Sequence, residues 1–345
     1  MPRVVGIDPG TVSIDAFGLA DGAPAFEGSW PTRDALADPA RFAAMLADAG
    51  PWDLVAGPSG YGLPLVSAAE ATDEDLRLAF LAVPGDGGGI GGLSAFTREL
   101  GRAGLPVVYT PGVIHLPTVP EHRKVNRVDL GTADKVCATA LAVHDQDRRL
   151  RCGPAGTSFI LLELGGAFTA GVAVDNGRIV DGLGGTSGPI GWRSAGAWDG
   201  EVAYLAGTVT KAMLFRGGAA DDGADPTTTL LNAYVEGLEK AVGALGAAVP
   251  EPREIFLSGR RADDKRVFER ARHALSRIAD VRRLEGFSAR TKAGAQGAAI
   301  LADGLSGGRY SELVETLGVT SAGGTVLDHL RVITPGEARN RLRLP

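Results

Sequence analysis

Two short stretches combine the residue types that hold and transfer anionic groups. Near the start, Val4-Val5-Gly6-Ile7-Asp8-Pro9-Gly10-Thr11 runs an apolar segment into an acid, a chain-breaking Pro-Gly pair and a hydroxyl. Half a chain later, Phe159-Ile160-Leu161-Leu162-Glu163-Leu164-Gly165-Gly166 repeats the device with an acid and two glycines. Glycine turns present backbone N–H groups to an anion with no side chain in the way. An acid at the end of a buried strand lies where ligands bind in α/β sheets. Taken alone, Asp8 reads equally well as a turn-forming aspartate. Two such units predict two similar halves facing one phosphate chain.

The flanking residues predict the elements that position these units. After Gly166 an apolar run leads to Asn176-Gly177 and a third apolar run, a hairpin signal because both central residues of a type I′ turn need φ > 0. Asp129 reads as the N-cap of a helix from Asp129 to Val143, with Ala133, Val136, Cys137, Ala140 and Leu141 on one face. Asp134 and Lys135 fall early in it. The stripe Leu231, Tyr234, Val235, Leu238, Val242 is core. Glu254 to Leu257 is a strand ending in Ser258-Gly259-Arg260, a third strand–glycine junction. A second small-residue helix spans Lys292 to Ala302 and includes Gly297.

Three loops invite a functional reading. Ser59 and Tyr61 follow the strand Leu54 to Gly57, where a cleft-facing loop and a plain surface loop weigh equally. Gly184 to Gly200 carries Trp192, Arg193, Trp198 and Asp199, read as substrate contacts ahead of surface decoration because long loops in compact proteins carry function. A helix Glu201 to Leu214 follows. The glycine run 84–92 lacks the spacing of a dinucleotide fingerprint or a P-loop lysine. It reads as a mobile linker sooner than as a ligand contact. The polar cluster before Asp129 contains Glu121, His122, Arg123 and Lys124.

Length and composition bound the rest. At 345 residues the chain exceeds one typical core. The polar stretch ending in Cys152-Gly153-Pro154 divides it into domains 1–152 and 153–345, with the last residues packing back on the first. A net charge of −6 argues against a nucleic-acid partner, which needs a basic face. Cys137 and Cys152 have no C-x-x-C spacing, so a reduced compartment is expected and zinc is not. No apolar run of membrane-spanning length and no signal peptide is present. A cytoplasmic location without membrane partners is expected.

In this order the motifs resemble the acetate and sugar kinase, heat-shock chaperone and actin superfamily. Asp8-Pro9-Gly10-Thr11 resembles its first phosphate motif, Asp129 to Val143 its first connecting helix and Glu163-Leu164-Gly165-Gly166 with the hairpin its second phosphate motif. Ser258-Gly259-Arg260 resembles its adenosine motif and Ala293 to Ala302 its second connecting helix. The resemblance implies an α/β fold of two ribonuclease-H-like lobes, the actin-like ATPase fold, with the nucleotide cleft between them. Within the superfamily, Glu163 to Gly166, Gly188 to Asp199 and Pro120 to Lys135 look most like butyrate and acetate kinases. Those enzymes have histidine where Glu163 stands, which implies a butyrate-kinase-like family distinct from butyrate kinase itself.

The same resemblance implies ATP and Mg²⁺, a small-molecule phosphoryl acceptor and a homodimer. Gly10, Thr11, Gly165, Gly166 and Thr169 would surround the phosphates, and Ser258, Gly259, Arg260 and Gly297 the adenosine. Asp8 and Glu163 would hold the metal through water. Arg123 or Arg193 would bind the acceptor or the equatorial oxygens, and Asp129 or Asp134 would serve a hydroxyl acceptor as base. Ser59, Tyr61, Trp192 and Asp199 would contact the acceptor. A kinase is favoured. A partner-coupled ATPase, with Glu163 orienting water, and a nucleotide sensor without turnover are the alternatives.

Overall fold

The computed structural model describes residues 2–81, 83, 92–220 and 224–344. Most of the glycine run expected as a mobile linker, 84–91, lies outside them. The first sheet is built from β1 (Arg3–Pro9), β2 (Ser13–Ala20), β3 (Ala23–Pro31), β4 (Leu54–Gly57), β5 (Val66–Ser67) and β6 (Val107–Tyr109). The second comprises β7 (Phe159–Leu164), β8 (Thr169–Asp175), β9 (Arg178–Leu183), β10 (Glu254–Ser258) and β11 (Asp280–Arg283). Strand orders are β3-β2-β1-β4-β6-β5 and β11-β10-β7-β8-β9. In each sheet an antiparallel meander of three strands is extended by two strands parallel to its first, and the first sheet adds the short β5, antiparallel to β6. The two halves share one plan, as the repeated strand–acid–glycine units predicted.

Local chemistry sets the meanders. Asn176 and Gly177 adopt φ of 50° and 72°, and Asp21 and Gly22 adopt 55° and 71°, so both hairpins turn on two left-handed residues. Strand alternation then sorts the side chains between faces. Along β1, Val4 enters a central core while Val5 and Ile7 face an outer one. Along β7, Phe159 and Leu161 face the central core while Ile160 and Leu162 face the second sheet's outer core.

The central core is filled by two helices, each of which covers the sheet of the other half. Helix Ala133–Leu150 lies against β7 and β8, and helix Ala293–Leu305 lies against β1, β2 and β4. Ile300 and Leu301 are fully buried, each stabilising by roughly 1.5–3 kcal/mol. The two helices also cross each other. A Cβ on Gly297 would lie 1.7 Å from the Cys137 carbonyl oxygen, so the backbones touch there and only glycine fits. The expectation that Gly297 flanks a nucleotide is therefore corrected: it is a helix-crossing contact. After this helix, Ser311–Leu317 touches both halves, and the last residues reach the first. Arg77 donates to the carbonyls of Leu342 and Arg343, and Arg339 pairs with Glu74.

Two helix boundaries differ from expectation. The first connecting helix begins at Ala133 rather than Asp129 and runs to Leu150. Gly131 at φ +132° breaks any earlier start, and the Asp129 side chain is used elsewhere. The expected helix Glu201 to Leu214 is a short helix Gly200–Ala206 and a separate 3-10 turn Lys211–Phe215, divided by Gly207 at φ +70°.

Candidate active site

Asp8 closes β1 and is 6% exposed. The returning helix presses on it: a Cβ on Gly294 would sit 2.5 Å from its Oδ2. The residue before that helix is Lys292. Its Nζ donates to the carbonyls of Asp8 at 2.7 Å and Ser13 at 2.9 Å, and lies 3.6 Å from Asp8 Oδ2. Its backbone N–H donates to Asp15 Oδ2 at 2.8 Å. Lys292 thus ties the Gly10-Thr11 turn from below.

The second half repeats this with Glu163 on β7. Lys135 Nζ lies 2.6 Å from Glu163 Oε2 and 2.5 Å from Asp134 Oδ2, and the Thr132 hydroxyl donates to Asp134 Oδ1 at 2.5 Å. Each exchanged helix therefore brings a lysine in or beside its first turn to the acid of the sheet it covers. Sequence reasoning did not single out Lys135 or Lys292 for the site. Their shared signal is a lysine at the start of each small-residue helix.

The charges act on one another across both halves. Burial pushes the Asp8 carboxyl up from 3.8 to about 6; Lys292 and Lys135 oppose this, while Asp134 and Glu163 add to it. At Asp134, burial favours the neutral acid, but the Lys135 ammonium and the hydrogen bonds from Lys135 and Thr132 outweigh it and hold the carboxyl below its ordinary value. Burial opposes the charge on Lys135, yet Asp134 and Glu163 raise it well above the usual lysine range. Lys135 is a permanent cation.

The two glycine turns meet above these groups. Thr11 Oγ1 lies 3.8 Å from the Cβ position of Gly166. The Gly10 and Gly165 N–H groups are spent closing their own turns, on Ser13 O at 2.8 Å and Phe168 O at 2.9 Å. The N–H groups of Thr11, Val12 and Gly166 make no backbone hydrogen bond to any described residue. The third junction lies beside Glu163, since Ser258 pairs with Glu163 across the ladder. Gly259 turns at φ +83° with its Cβ position 3.1 Å from Glu163 Cγ. The Ser258 hydroxyl is buried without a partner among the described residues, while Arg260 is exposed.

Other expected site residues have partners of their own, and for the buried Thr169, Trp192 and Ser59 the reading as ligand contacts is corrected. Thr169 pairs with Leu164, is fully buried and bonds the Tyr234 hydroxyl at 3.3 Å. Trp192 is core, packed edge-on to Tyr234 with the Arg261 guanidinium 4.0 Å over its ring. Ser59 is buried and donates to Thr110 O at 2.6 Å. Arg123 donates to Val180 O at 2.7 Å and pairs with Asp181 on β9 at 3.9 Å. Asp199 caps the helix Gly200–Ala206 through Glu201 N–H at 2.8 Å. Asp129 accepts from Thr186 N–H at 3.0 Å, Thr186 Oγ1 at 2.8 Å and Gly131 N–H at 3.2 Å, so its oxygens pin the loop after the hairpin.

Tyr61 and Arg193 border the site. Tyr61 sits near Asp129 and bonds Thr186, its hydroxyl pushed up by burial. The Lys211 ammonium lies 5.1 Å over the Tyr61 ring, a contact between the two halves. The Arg193 N–H donates to Ala167 O at 3.0 Å, anchoring its loop to the second glycine turn.

A family model described as "Protein of unknown function (DUF1464)" matches residues 6–332. The chain belongs to that family. No curated protein matches it. Among solved structures, this DUF1464 chain is similar to a propionate kinase from Francisella tularensis subsp. tularensis SCHU S4, at TM-score 0.59 and 12% identity over 87% of this chain and 98% of that one. It is also similar to acetate kinases from Entamoeba histolytica, at TM-score 0.58 and 9% identity over 80% and 87% of the two chains, and from Porphyromonas gingivalis, at TM-score 0.54 and 14% identity over 81% and 88%. The DUF1464 chain has the two-lobe α/β fold of these kinases. No helix among the described residues is long and apolar enough to cross a membrane.

Proposed function

We propose that this DUF1464 chain is a magnesium- and ATP-dependent phosphotransferase acting on a small acceptor, with short carboxylates as the favoured class. One observation carries the reading: two glycine turns, one from each sheet, face each other over two acid–lysine pairs. Phosphoryl transfer asks for positioning and charge neutralisation more than for covalent chemistry by the protein. The N–H groups of Thr11, Val12 and Gly166 would hold phosphate oxygens, and the Ser258-Gly259 junction would border the nucleoside.

Among the described residues no three His, Cys, Asp or Glu side chains converge on one metal position. That fits magnesium, which keeps several waters and takes one or two carboxylates plus phosphate oxygens. Asp8 beneath the first turn, and the Glu163 oxygen that Lys135 leaves open, would hold its waters. Bound there, magnesium would supply charge neutralisation to the phosphates.

The acceptor class follows from what the acids do. Asp129 is occupied by three hydrogen bonds, and Asp134 is held below its ordinary value, which makes it a weak base. A hydroxyl acceptor needs a base; a carboxylate arrives ionised and needs none. Its oxygen would attack the γ-phosphorus, the β,γ-bridging oxygen would leave with ADP, and no proton would move. Glu163 in place of histidine does not forbid this, because Lys135 at 2.6 Å, which it shares with Asp134, offsets part of its charge. A butyrate-kinase-like activity is the nearest family expectation.

The test is ADP release from Mg-ATP, alone and with panels of short carboxylates and of alcohols and sugars. Stimulation by carboxylates is the expected result. Stimulation confined to hydroxyl compounds would overturn the acceptor class, and turnover indifferent to every acceptor would point to an ATPase. Nucleotide binding without turnover would leave a sensor.

A further inference from the structure

We infer that Lys135 is the catalytic cation of this site and contacts the γ-phosphoryl group, whereas Lys292 only positions the first glycine turn. The inference rests on the nucleotide reading above and assigns its two lysines different roles. A lysine ammonium has three donors and no acceptor. Lys292 directs its donors to the carbonyls of Asp8 and Ser13, with Asp8 Oδ2 at 3.6 Å. These partners are all parts of the turn it supports: its two hydrogen bonds go to backbone carbonyls, and the 3.6 Å ion pair ties it to the acid of the same strand, so its place is structural. Lys135 meets only Asp134 Oδ2 and Glu163 Oε2 among the described residues. One donor remains.

Position agrees with this count. Glu163 Oε1 lies 3.8 Å from the Cβ position of Gly165, so the Lys135–Glu163 pair stands at the base of the second glycine turn. Thr11 faces Gly166 at the same place. An anion bridging the two turns therefore lies next to Lys135. The two flanking carboxylates fix the ammonium and keep it charged, so no reorganisation is needed when negative charge arrives. A charge-assisted hydrogen bond from a preorganised donor is stronger than a neutral one. In this arrangement Glu163 is the orienting partner of the cation.

The experiment compares Mg-ADP and Mg-AMP-PNP, which differ in the γ-phosphoryl group, by calorimetric titration. The proteins are the full chain, Lys135→Met, Lys135→Arg, Lys292→Met and the double variant Lys135→Met/Glu163→Gln. The double variant removes the cation with one of its two counter-charges, and the Thr132 hydroxyl still donates to the remaining one, Asp134. The full chain should prefer AMP-PNP over ADP. Both Lys135→Met proteins should lose about 10- to 100-fold of that preference, read as the ratio of the two affinities within each protein so that any shared loss at Glu163 cancels, and Lys135→Arg should restore part of it. Lys292→Met should weaken both nucleotides alike. The proposal is overturned if the full chain binds ADP but shows no preference, if the double variant keeps the preference, or if Lys292→Met alone abolishes it. A full chain that binds neither nucleotide would refute the nucleotide reading itself.

Discussion

Asp8→Asn should make the protein more stable at neutral pH while weakening its hold on Mg-ATP. The folded protein raises the Asp8 carboxyl from 3.8 to about 6 because burial costs more than Lys292 returns. Between those two values the folded state retains a proton that the unfolded chain has released. Stability therefore falls as pH rises through this window, and the full penalty is present above about pH 7. The whole difference corresponds to about 3 kcal/mol. The attraction of Lys292 at 3.6 Å is already contained in that difference, so a net gain of about 2–3 kcal/mol is expected. With an unfolding entropy of about 2.1 cal/mol/K per residue, that is roughly 3–4 °C in Tm. The assay is thermal unfolding of both proteins at pH 7.5 and pH 5, with a Mg-ATP titration alongside. The gain should be largest at pH 7.5 and shrink to about half at pH 5, with nucleotide affinity reduced about tenfold or more. A Tm that falls equally at both pH values would refute the reasoning, because the carboxylate would then be held by favourable contacts and not tolerated against burial.

Glu254 should behave in the opposite sense. Burial opposes its charge, but hydrogen bonds from Arg149, at 2.7 Å to each oxygen, and Gln146, at 2.7 Å, prevail and hold it below 4.5. Its contribution is complete above pH 4.5 and is lost as pH falls through the folded value; Glu254→Gln should cost ~3 kcal/mol at pH 7 in urea unfolding and flatten that acid limb. Gly297→Val should lose ~3 kcal/mol or more and most soluble yield, since its side chain would enter the Cys137 carbonyl. Thr186→Val should cost about 1 kcal/mol by removing one of the two hydrogen bonds to Asp129 Oδ2, the residue 186 N–H keeping the other, read as a lower urea midpoint. It should spare the ADP affinity, because Asp129 is outside the phosphate turns.

What the chain made legible was the chemistry of consecutive residues. The strand–acid–glycine units, the Asn176-Gly177 turn and the small-residue helices all depend on neighbours a few positions apart, and each is present, the first helix with its start moved from Asp129 to Ala133 and its end from Val143 to Leu150. What failed depended on contacts between distant segments. Thr169 follows a glycine turn, as a phosphate contact would, but its ladder position opposite Leu164 turns the hydroxyl inward to Tyr234. Trp192 sits in a glycine-rich loop, yet that loop folds over the second core. Gly297 shows why glycine alone is ambiguous: close approach of a phosphate and close approach of another helix demand the same residue. Lys135 and Lys292 escaped notice because their partners lie in sheets that only the exchange of helices brings to them.

That exchange makes the molecule a reciprocal swap written in one chain. Cut between residues 152 and 153, each fragment would carry the helix that closes the other's sheet and lack the one that closes its own. Neither would have a complete interior alone. The two lysines hold corresponding places on the exchanged helices, Lys292 committed to backbone carbonyls under the first turn and Lys135 to carboxylates under the second.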